Sequence, residues 1–357
     1  MLTKTSKNRE SELDALRGIA AVLVLLFHYS GLPGFDLSFL LTGVTGVDLF
    51  FIISGYVIFM TLNKTTRAKE FIVSRLSRLY PSYLAAMLIV VLMTVYISHE
   101  KFPSAILLAG NVTMMQPFFM VPYLDDVYWT LTVELQFYIL MLLLFVFGKL
   151  QKIELIGIVL VLAILAYHLV SLSYSTTSKA YIWPHSFLPL ISHFQLFVAG
   201  IFFYKIKNSG SSIYRHAAIV ICFVSSIILF PHAGKSHYFI GIVNYTAMLL
   251  MYFAAFYLFI FGSLKFIAIK PLLFLGSISY CIYLIHLTPG YILFNVLTES
   301  FQWHRAVSTL FTIACVIGVA TLVTYAIERP IIRFLRKKFS GTHEAVVVTV
   351  PELAKAL

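Results

Sequence analysis

Apolar runs of about 17–25 residues, the length that crosses a bilayer as a helix, recur along the chain between short polar stretches. They predict spans near 13–30, 43–62, 81–98, 129–147, 153–171, 187–205, 214–231, 239–261, 276–297 and 306–327. One more apolar stretch, PSAILLAGNVTMMQPFFMVP at 103–122, is broken by Pro103, Gly110, Asn111, Gln116, Pro117 and Pro122. It reads as re-entrant or interfacial, because a broken helix leaves backbone groups that lipid cannot satisfy. The pattern therefore predicts an all-α polytopic transmembrane helical bundle of about ten spans. The bundle occupies 13–335, preceded by a segment 1–12 and followed by a tail 336–357 too small to be a domain.

Composition agrees. Of 357 residues, 60% are hydrophobic and 11% charged, against roughly 45–50% and 25% for a soluble domain. Mean hydropathy is +0.91. Cys222, Cys281 and Cys315 all sit in apolar runs without metal or CxxC spacing, and read as small buried hydrophobes. Lys4, Lys7 and Arg9 precede the first run as in a signal peptide. Glu10, Glu12, Asp14 and Arg17 interrupt that pattern and no small-x-small cleavage site follows, so the first segment is expected to be retained.

Charge orients the bundle. With both termini in the cytoplasm, all but five of the 26 Lys and Arg residues fall on the cytoplasmic side, as the positive-inside rule expects. The exceptions are Lys101, Lys179, Lys235 and Arg305 on the far side and Arg17 within the first span. The same asymmetry accounts for the net charge of +11 without nucleic acid as a partner.

Polar residues inside spans carry the chemical signal, since each costs a few kcal/mol there. In LDALRGIAAVLVLLFHYSG, Arg17 and His28 are 11 positions apart, about 16 Å of rise and about 20° of rotation. Asp14 falls within about 40° of the same face. In the second span, GVTGVDLFFIISGYVIF carries Asp48, Ser54 and Gly55, and Asp48 could orient a histidine on a neighbouring helix. Arg75 and Arg78 share a helical face at i, i+3. With Lys64, Arg67 and Lys69 they make a cationic loop suited to a phosphorylated ligand. YWTLTVELQFYIL places Trp129 at an interface, and Glu134 and Gln136 in the hydrocarbon, where Glu134 needs a partner on another helix. GSISYCIYLIHLTPG repeats Ser279, Tyr283 and His286 at i, i+4, i+7, beside Tyr280. Glu328 and Arg329 precede Pro330 at the last exit. His99, His168, His185, His193, His216, His232, His237 and His304 fall mostly in loops or at span ends and are expected to be interfacial bystanders. No HExxH, GxSxG or P-loop pattern occurs, so the pattern supports no metal site.

An intramembrane histidine, carboxylates and a cationic pocket suit group transfer. Histidine takes a proton from a hydroxyl that attacks a thioester, arginines hold the carrier's phosphates, and Arg, Tyr or Ser donors stabilise the tetrahedral intermediate. A proton-coupled transporter, which also uses Asp, Glu and His relays, remains open on the residues alone.

Taken in order, these motifs closely resemble acyltransferase family 3, the bacterial membrane O-acyltransferases of surface sugars, over about residues 10–335. The resemblance rests on Arg17 and His28 with ten residues between them, on GVDLFFIISGYVI, and on the arginine pair of SRLSRLYP. It rests also on WTLTVELQFY, with Trp129, Glu134, Phe137 and Tyr138 matching and Thr130 replacing the usual Ser, on SYCIYLIH with Ser279, Tyr280, Tyr283 and His286, and on the terminal ERP.

The resemblance implies acyl-CoA, usually acetyl-CoA, as donor co-substrate, a sugar hydroxyl as acceptor, and residence in the cytoplasmic (inner) membrane. It implies His28 as the catalytic residue, as base or as transient acyl carrier. Arg17, Arg75 and Arg78 would bind the donor, Arg17 also acting in catalysis. Asp48, Glu134 and His286 join the catalytic set as site builders, with Tyr283 toward the donor. Many relatives carry an additional extracytoplasmic hydrolase-like domain. This chain is expected to lack one, and so to complete transfer itself, on a lipid-linked sugar for example, or to hand the acyl group to a separate extracytoplasmic partner. The acceptor would be O-antigen, capsule or exopolysaccharide. Peptidoglycan, a glucan, a small metabolite, or transport without ester formation stand as alternatives.

Overall fold

The computed structural model describes residues 10–30, 32, 38–174, 185–232 and 236–339, and every regular element among them is helical. Residues 1–9, 31, 33–37, 175–184 with Lys179, 233–235 with Lys235, and those from 340 on lie outside the described residues. The first run forms α1 (Ser11–Ser30). A 3-10 stretch, Ser38–Thr45, runs alongside α1 and continues as α2 (Gly46–Leu62). Next come α3 (Ala68–Tyr96), the short α4 (Ala105–Val112), α5 (Trp129–Val146), α6 (Ile153–Tyr174) and α7 (Phe194–Ser209). They are followed by α8 (Ile213–Leu229), α9 (Ile242–Ile260), α10 (Lys270–Ile285), α11 (Thr288–Asn295) and α12 (Arg305–Leu322). A π-helical stretch, Val323–Glu328, carries α12 into α13 (Arg329–Phe339).

Eight helices among the described residues are long and apolar enough to cross a membrane, and a ninth span results if the bent pair α10–α11 is one. α7, expected as a span over 187–205, has 16 residues and is buried along most of its length. A helix apolar on all sides belongs in the middle of a bundle, and α7 is held there by α2, α6, α8 and α9.

Two expectations change in detail, and the reading of 103–122 as a stretch that does not cross holds. The third span is not 81–98 with a cationic loop before it: α3 starts at Ala68 and takes Arg75 and Arg78 into a helix. Pro81 lies inside α3, because neighbouring groups within a bundle can satisfy what a proline frees. The ninth span breaks, with Lys270–Ile285 and Thr288–Ser300 meeting at 73°. Pro289 at the start of α11 disfavours helical backbone just before it. The 103–122 stretch holds only the eight-residue α4 and a 3-10 turn, about 12 Å of helix, which cannot cross. Asn111 pins this stretch by donating to the carbonyls of Leu107 and Pro122, both at 2.9 Å, while Tyr83 Oη donates to the Asn111 carbonyl at 2.8 Å.

Without a hydrophobic drive between helices in lipid, close approach at small residues holds a bundle together. α1 crosses α10 at Gly18 and Gly276, where a Cβ on Gly276 would strike the carbonyl of Asp14. α2 crosses α7 at Gly55 and Gly200, where a Cβ on Gly55 would strike the carbonyl of Phe197. These crossings draw α1, α2, α3, α5 and α10 around one cleft.

Candidate active site

The cleft spans about 780 Å³, part of it open to solvent. Arg17 enters from α1, Ser54 from α2, Arg75 and Arg78 from α3, Glu134 and Tyr138 from α5, and Ser279, Tyr280 and Tyr283 from α10. Residues far apart in sequence therefore converge here, Arg17, Arg75, Arg78, Glu134 and Tyr283 among them, whereas His28, Asp48 and His286 do not line this cleft.

The three arginines are held differently. Arg17 pairs with Asp14 one turn before it, at 2.9 Å. Arg78 pairs with the buried Glu328 at 2.7 Å, and Ser82 Oγ donates to the other Glu328 oxygen at 2.8 Å. Arg75 makes no ion pair among the described residues. Its guanidinium donates weakly to Thr61 Oγ1 and Ser74 Oγ, at 3.3 and 3.2 Å, and its Nε is buried without a partner. Buried donors are normally satisfied, so Arg75, the cleft arginine with no carboxylate partner among the described residues, has donors left for an anionic ligand.

Glu134 finds its partners as expected: Ser54 Oγ on α2 donates to Oε1 at 3.0 Å, and the Tyr138 hydroxyl donates to the same oxygen. Tyr283 Oη contacts Thr130 Oγ1 at 2.8 Å and donates to the Val127 carbonyl at 3.1 Å. Tyr280 Oη donates to the Leu79 carbonyl at 3.1 Å. These bonds fix the aromatic wall of the cleft rather than leave it mobile.

His28 does not line the cleft. It stands half-buried near the far end of α1, with its ring centroid 5.0 Å from that of His286. His286 is fully buried at the break between α10 and α11. Its Nδ1 lies 2.8 Å from the Tyr283 carbonyl and 3.2 Å from the Ile282 carbonyl. Both are acceptors, so Nδ1 carries the proton and Nε2 presents a lone pair. That Nε2 is buried with no partner. Tyr29 Oη donates to the His286 carbonyl at 2.7 Å, and Tyr291 Oη donates to the His28 carbonyl at 2.6 Å. The Tyr283 ring, 5.6 Å from His286 and 6.0 Å from Phe50, stands between this pair and the cleft.

Asp48 lies elsewhere. It faces a smaller pocket of about 240 Å³ with Ser192, His193, Gln195, Phe230, Ser236 and Tyr245. His193 and His168, expected as interfacial bystanders, are buried, at 7% and 1% exposure.

Several site residues were not singled out from sequence. In the sequence pattern Glu328 stands only as part of a terminal motif, although an intramembrane carboxylate is a functional signal in itself. Asp125 gave no periodic signal. It is buried, its two oxygens accepting from the backbone amides of Val127 and Thr288 at 3.1 and 3.0 Å, so it ties the 3-10 turn that leads into α5 to the first residue of α11. Burial raises its carboxyl above the ordinary value, and those two bonds oppose the rise. Tyr29, Tyr291 and Gln195 acquire roles only through contacts between distant helices.

Comparison with known proteins gives a concordant result. A family model described as an acyltransferase domain matches residues 10–329. A protein of Acidianus two-tailed virus named "Putative acetyltransferase ORF330" is 25% identical over 296 residues, covering 80% of this chain and 84% of the viral protein. No solved structure matches.

Proposed function

The chain belongs to the acyltransferase family whose model it matches, and on that premise we propose that this multi-pass membrane enzyme moves an acyl group, acetyl first among them, from acyl-CoA to a sugar hydroxyl of a cell-surface polysaccharide such as O-antigen or exopolysaccharide. One observation carries the reading: Arg17, Arg75 and Arg78 converge on a single cleft whose Tyr283 wall leads to the His28–His286 pair. The phosphate-bearing end of the donor lies against the arginines, where the planar fork of Arg75 has donors to give. The acyl-thioester arm extends past Phe50 and Tyr283 toward His28. Arg17 and His28 are separated by about 16 Å of helix rise, a span suited to an extended arm rather than to a compact substrate.

At the pair, His28 takes the proton of the attacking hydroxyl. The hydroxyl oxygen bonds to the acyl carbon, the carbon–sulfur bond breaks, and the proton passes to the departing sulfur, leaving free CoA. His286, fixed in the Nδ1–H tautomer by the Tyr283 carbonyl, keeps its Nε2 lone pair available beside His28, the orienting arrangement of nucleophile–base pairs in general. Glu134 positions Ser54 and Tyr138 along the arm.

In this reading the arginine end faces the cytoplasm of the inner membrane, the side that the excess of Lys and Arg marks. The test is ester-linked acetyl on surface glycans, read by NMR before and after mild base treatment. Cells would carry the parent, the His28→Ala variant or no copy. Acetyl with the parent and none with His28→Ala is the expected result. Equal ester in all three strains, or an unaltered level in His28→Ala against loss in the null strain, would overturn it.

A further inference from the structure

The pocket around Asp48 is outside the arginine cleft and unused by the chemistry above. Asp48 sits on the face of α2 turned toward α7, whereas Phe50, Phe51 and Ser54 on the same helix line the cleft. Two of its atoms are orphaned. Asp48 Oδ2 and Gln195 Oε1 are buried with no hydrogen-bond partner among the described residues, on side chains of residues 5% and 3% exposed. Asp48 also makes no ion pair among those residues. Gln195 Nε2 donates to the Ser192 carbonyl at 3.1 Å, which leaves the amide oxygen as the free end.

Both orphans are acceptors, so the missing group is a hydrogen-bond donor with at least two donating positions. An unmet buried carboxylate is costly, and a fold retains one where a ligand meets it. The rest of the lining suits a hydroxylated edge: Ser192, Ser236 and Tyr245 add hydroxyls, and Phe230 stacks on Tyr245 at 4.1 Å. The pocket is narrow and partly open to solvent, with room for a hydroxyl-sized group at a molecule's edge and none for a nucleotide or a whole sugar ring.

Two contacts join this pocket to the reaction site. His193 meets Phe51 and Trp129 at ring distances of 5.0 and 5.3 Å, and Phe51 is itself a wall of the cleft. Beyond Ser236, Phe239 lies 4.9 Å from Phe27, the neighbour of His28.

We propose that the Asp48–Gln195 pocket anchors the acceptor, with Asp48 Oδ2 and Gln195 Oε1 each accepting a hydrogen bond from neighbouring hydroxyls of a polyol. This rests on the acyltransferase reading but makes Asp48 a binding residue rather than a catalytic one.

The test uses the full-length protein in detergent with a panel of methyl glycosides. Binding is followed by the fluorescence of Trp129, which touches His193, and transfer by release of CoA thiol from acetyl-CoA. For Asp48→Asn the expected result is weaker glycoside binding and a rise in acceptor KM of about ten- to a hundredfold, the loss of a hydrogen bond to a charged group. Its melting temperature should hold or rise, since the variant replaces a buried carboxyl oxygen that has no partner among the described residues. Gln195→Met, which deletes the second acceptor, should raise the same KM by a smaller factor.

Unchanged acceptor KM and glycoside binding in both variants would overturn the anchor while leaving acyl transfer standing. So would an Asp48→Asn protein that melts early and loses donor and acceptor use together, the mark of a packing role. Stabilisation of the parent by sodium over choline, lost in Asp48→Asn with acceptor KM unchanged, would reassign the pocket to a cation. Asp48-dependent glycoside binding without any CoA release would support the anchor and count against acyl transfer instead.

Discussion

His28 on α1 and His286 at the break after α10 face one another with ring centroids 5.0 Å apart and planes inclined by 52°. Tyrosines brace the pair crosswise. Tyr29, next to His28, donates to the His286 carbonyl, and Tyr291, just past His286, donates to the His28 carbonyl. The spacing of the two rings is therefore set by main-chain hydrogen bonds as well as by helix packing.

His28→Ala should lower acyl transfer by roughly 10²–10⁴-fold, the usual worth of a positioned base, with no loss of melting temperature beyond a few degrees. His286→Asn keeps a donor near the Tyr283 carbonyl but removes the Nε2 lone pair. Steady-state kinetics should give it a lower kcat at unchanged donor KM. The double variant should be no slower than His28→Ala alone, since residues acting as a unit are not additive. A further fall in the double variant would assign His286 a separate structural role.

Tyr291→Phe deletes the 2.6 Å bond to the His28 carbonyl. It should cost about 0.5–1.5 kcal/mol of stability and reduce kcat more than either KM, because it loosens the geometry of one ring. Thermal melting and a kinetic series on the same preparation would check both.

Arg75 and Arg78 should part company when each is replaced by Met. Arg75 has no carboxylate partner among the described residues, so Arg75→Met should leave the melting temperature nearly unchanged. Its KM for acyl-CoA should rise tenfold or more, as expected for a lost charge-assisted contact, about 1.5–3 kcal/mol. Arg78→Met strands Glu328, whose side chain is 3% exposed, and should destabilise the protein by about 3 kcal/mol or more. Adding Glu328→Gln to Arg78→Met should recover part of that loss.

Gly276→Ala tests the helix crossing. The added Cβ meets the backbone of Asp14, not a side chain that could swing away, so α1 and α10 must separate. Overpacking of this kind costs about 1–3 kcal/mol, and here it also shifts Arg17. Detergent-extracted Gly276→Ala should show a lower yield of monodisperse protein and weakened donor use together. A variant that melts and binds like the parent would remove the close crossing as a requirement.

Much of the architecture was legible along the chain because a bilayer demands long apolar segments and penalises every polar exception. The apolar runs correspond to helices, the broken stretch at 103–122 does not span, and the exceptions Arg17, Glu134 and Tyr283 meet in one cleft with Arg75 and Arg78 from the polar turns before the third run. Hydropathy was less informative about helix ends and breaks. α3 begins 13 residues before its expected start because its first turns are polar and lie outside the apolar run. The 73° break before α11 hides within a continuous apolar segment.

The motifs by themselves determined a polytopic membrane acyltransferase. They could not assign partners, because a helix face says which side chains travel together and not which helix it meets. Asp48 shows the limit: one periodic stretch places it beside Ser54, yet its azimuth on α2 turns it to Gln195 and His193 while Ser54 turns to Glu134. The pairing of His28 with His286 and of Arg78 with Glu328, and the lack of a carboxylate partner for Arg75 among the described residues, were likewise decided by tertiary structure, where glycine crossings set which helices touch and at what height.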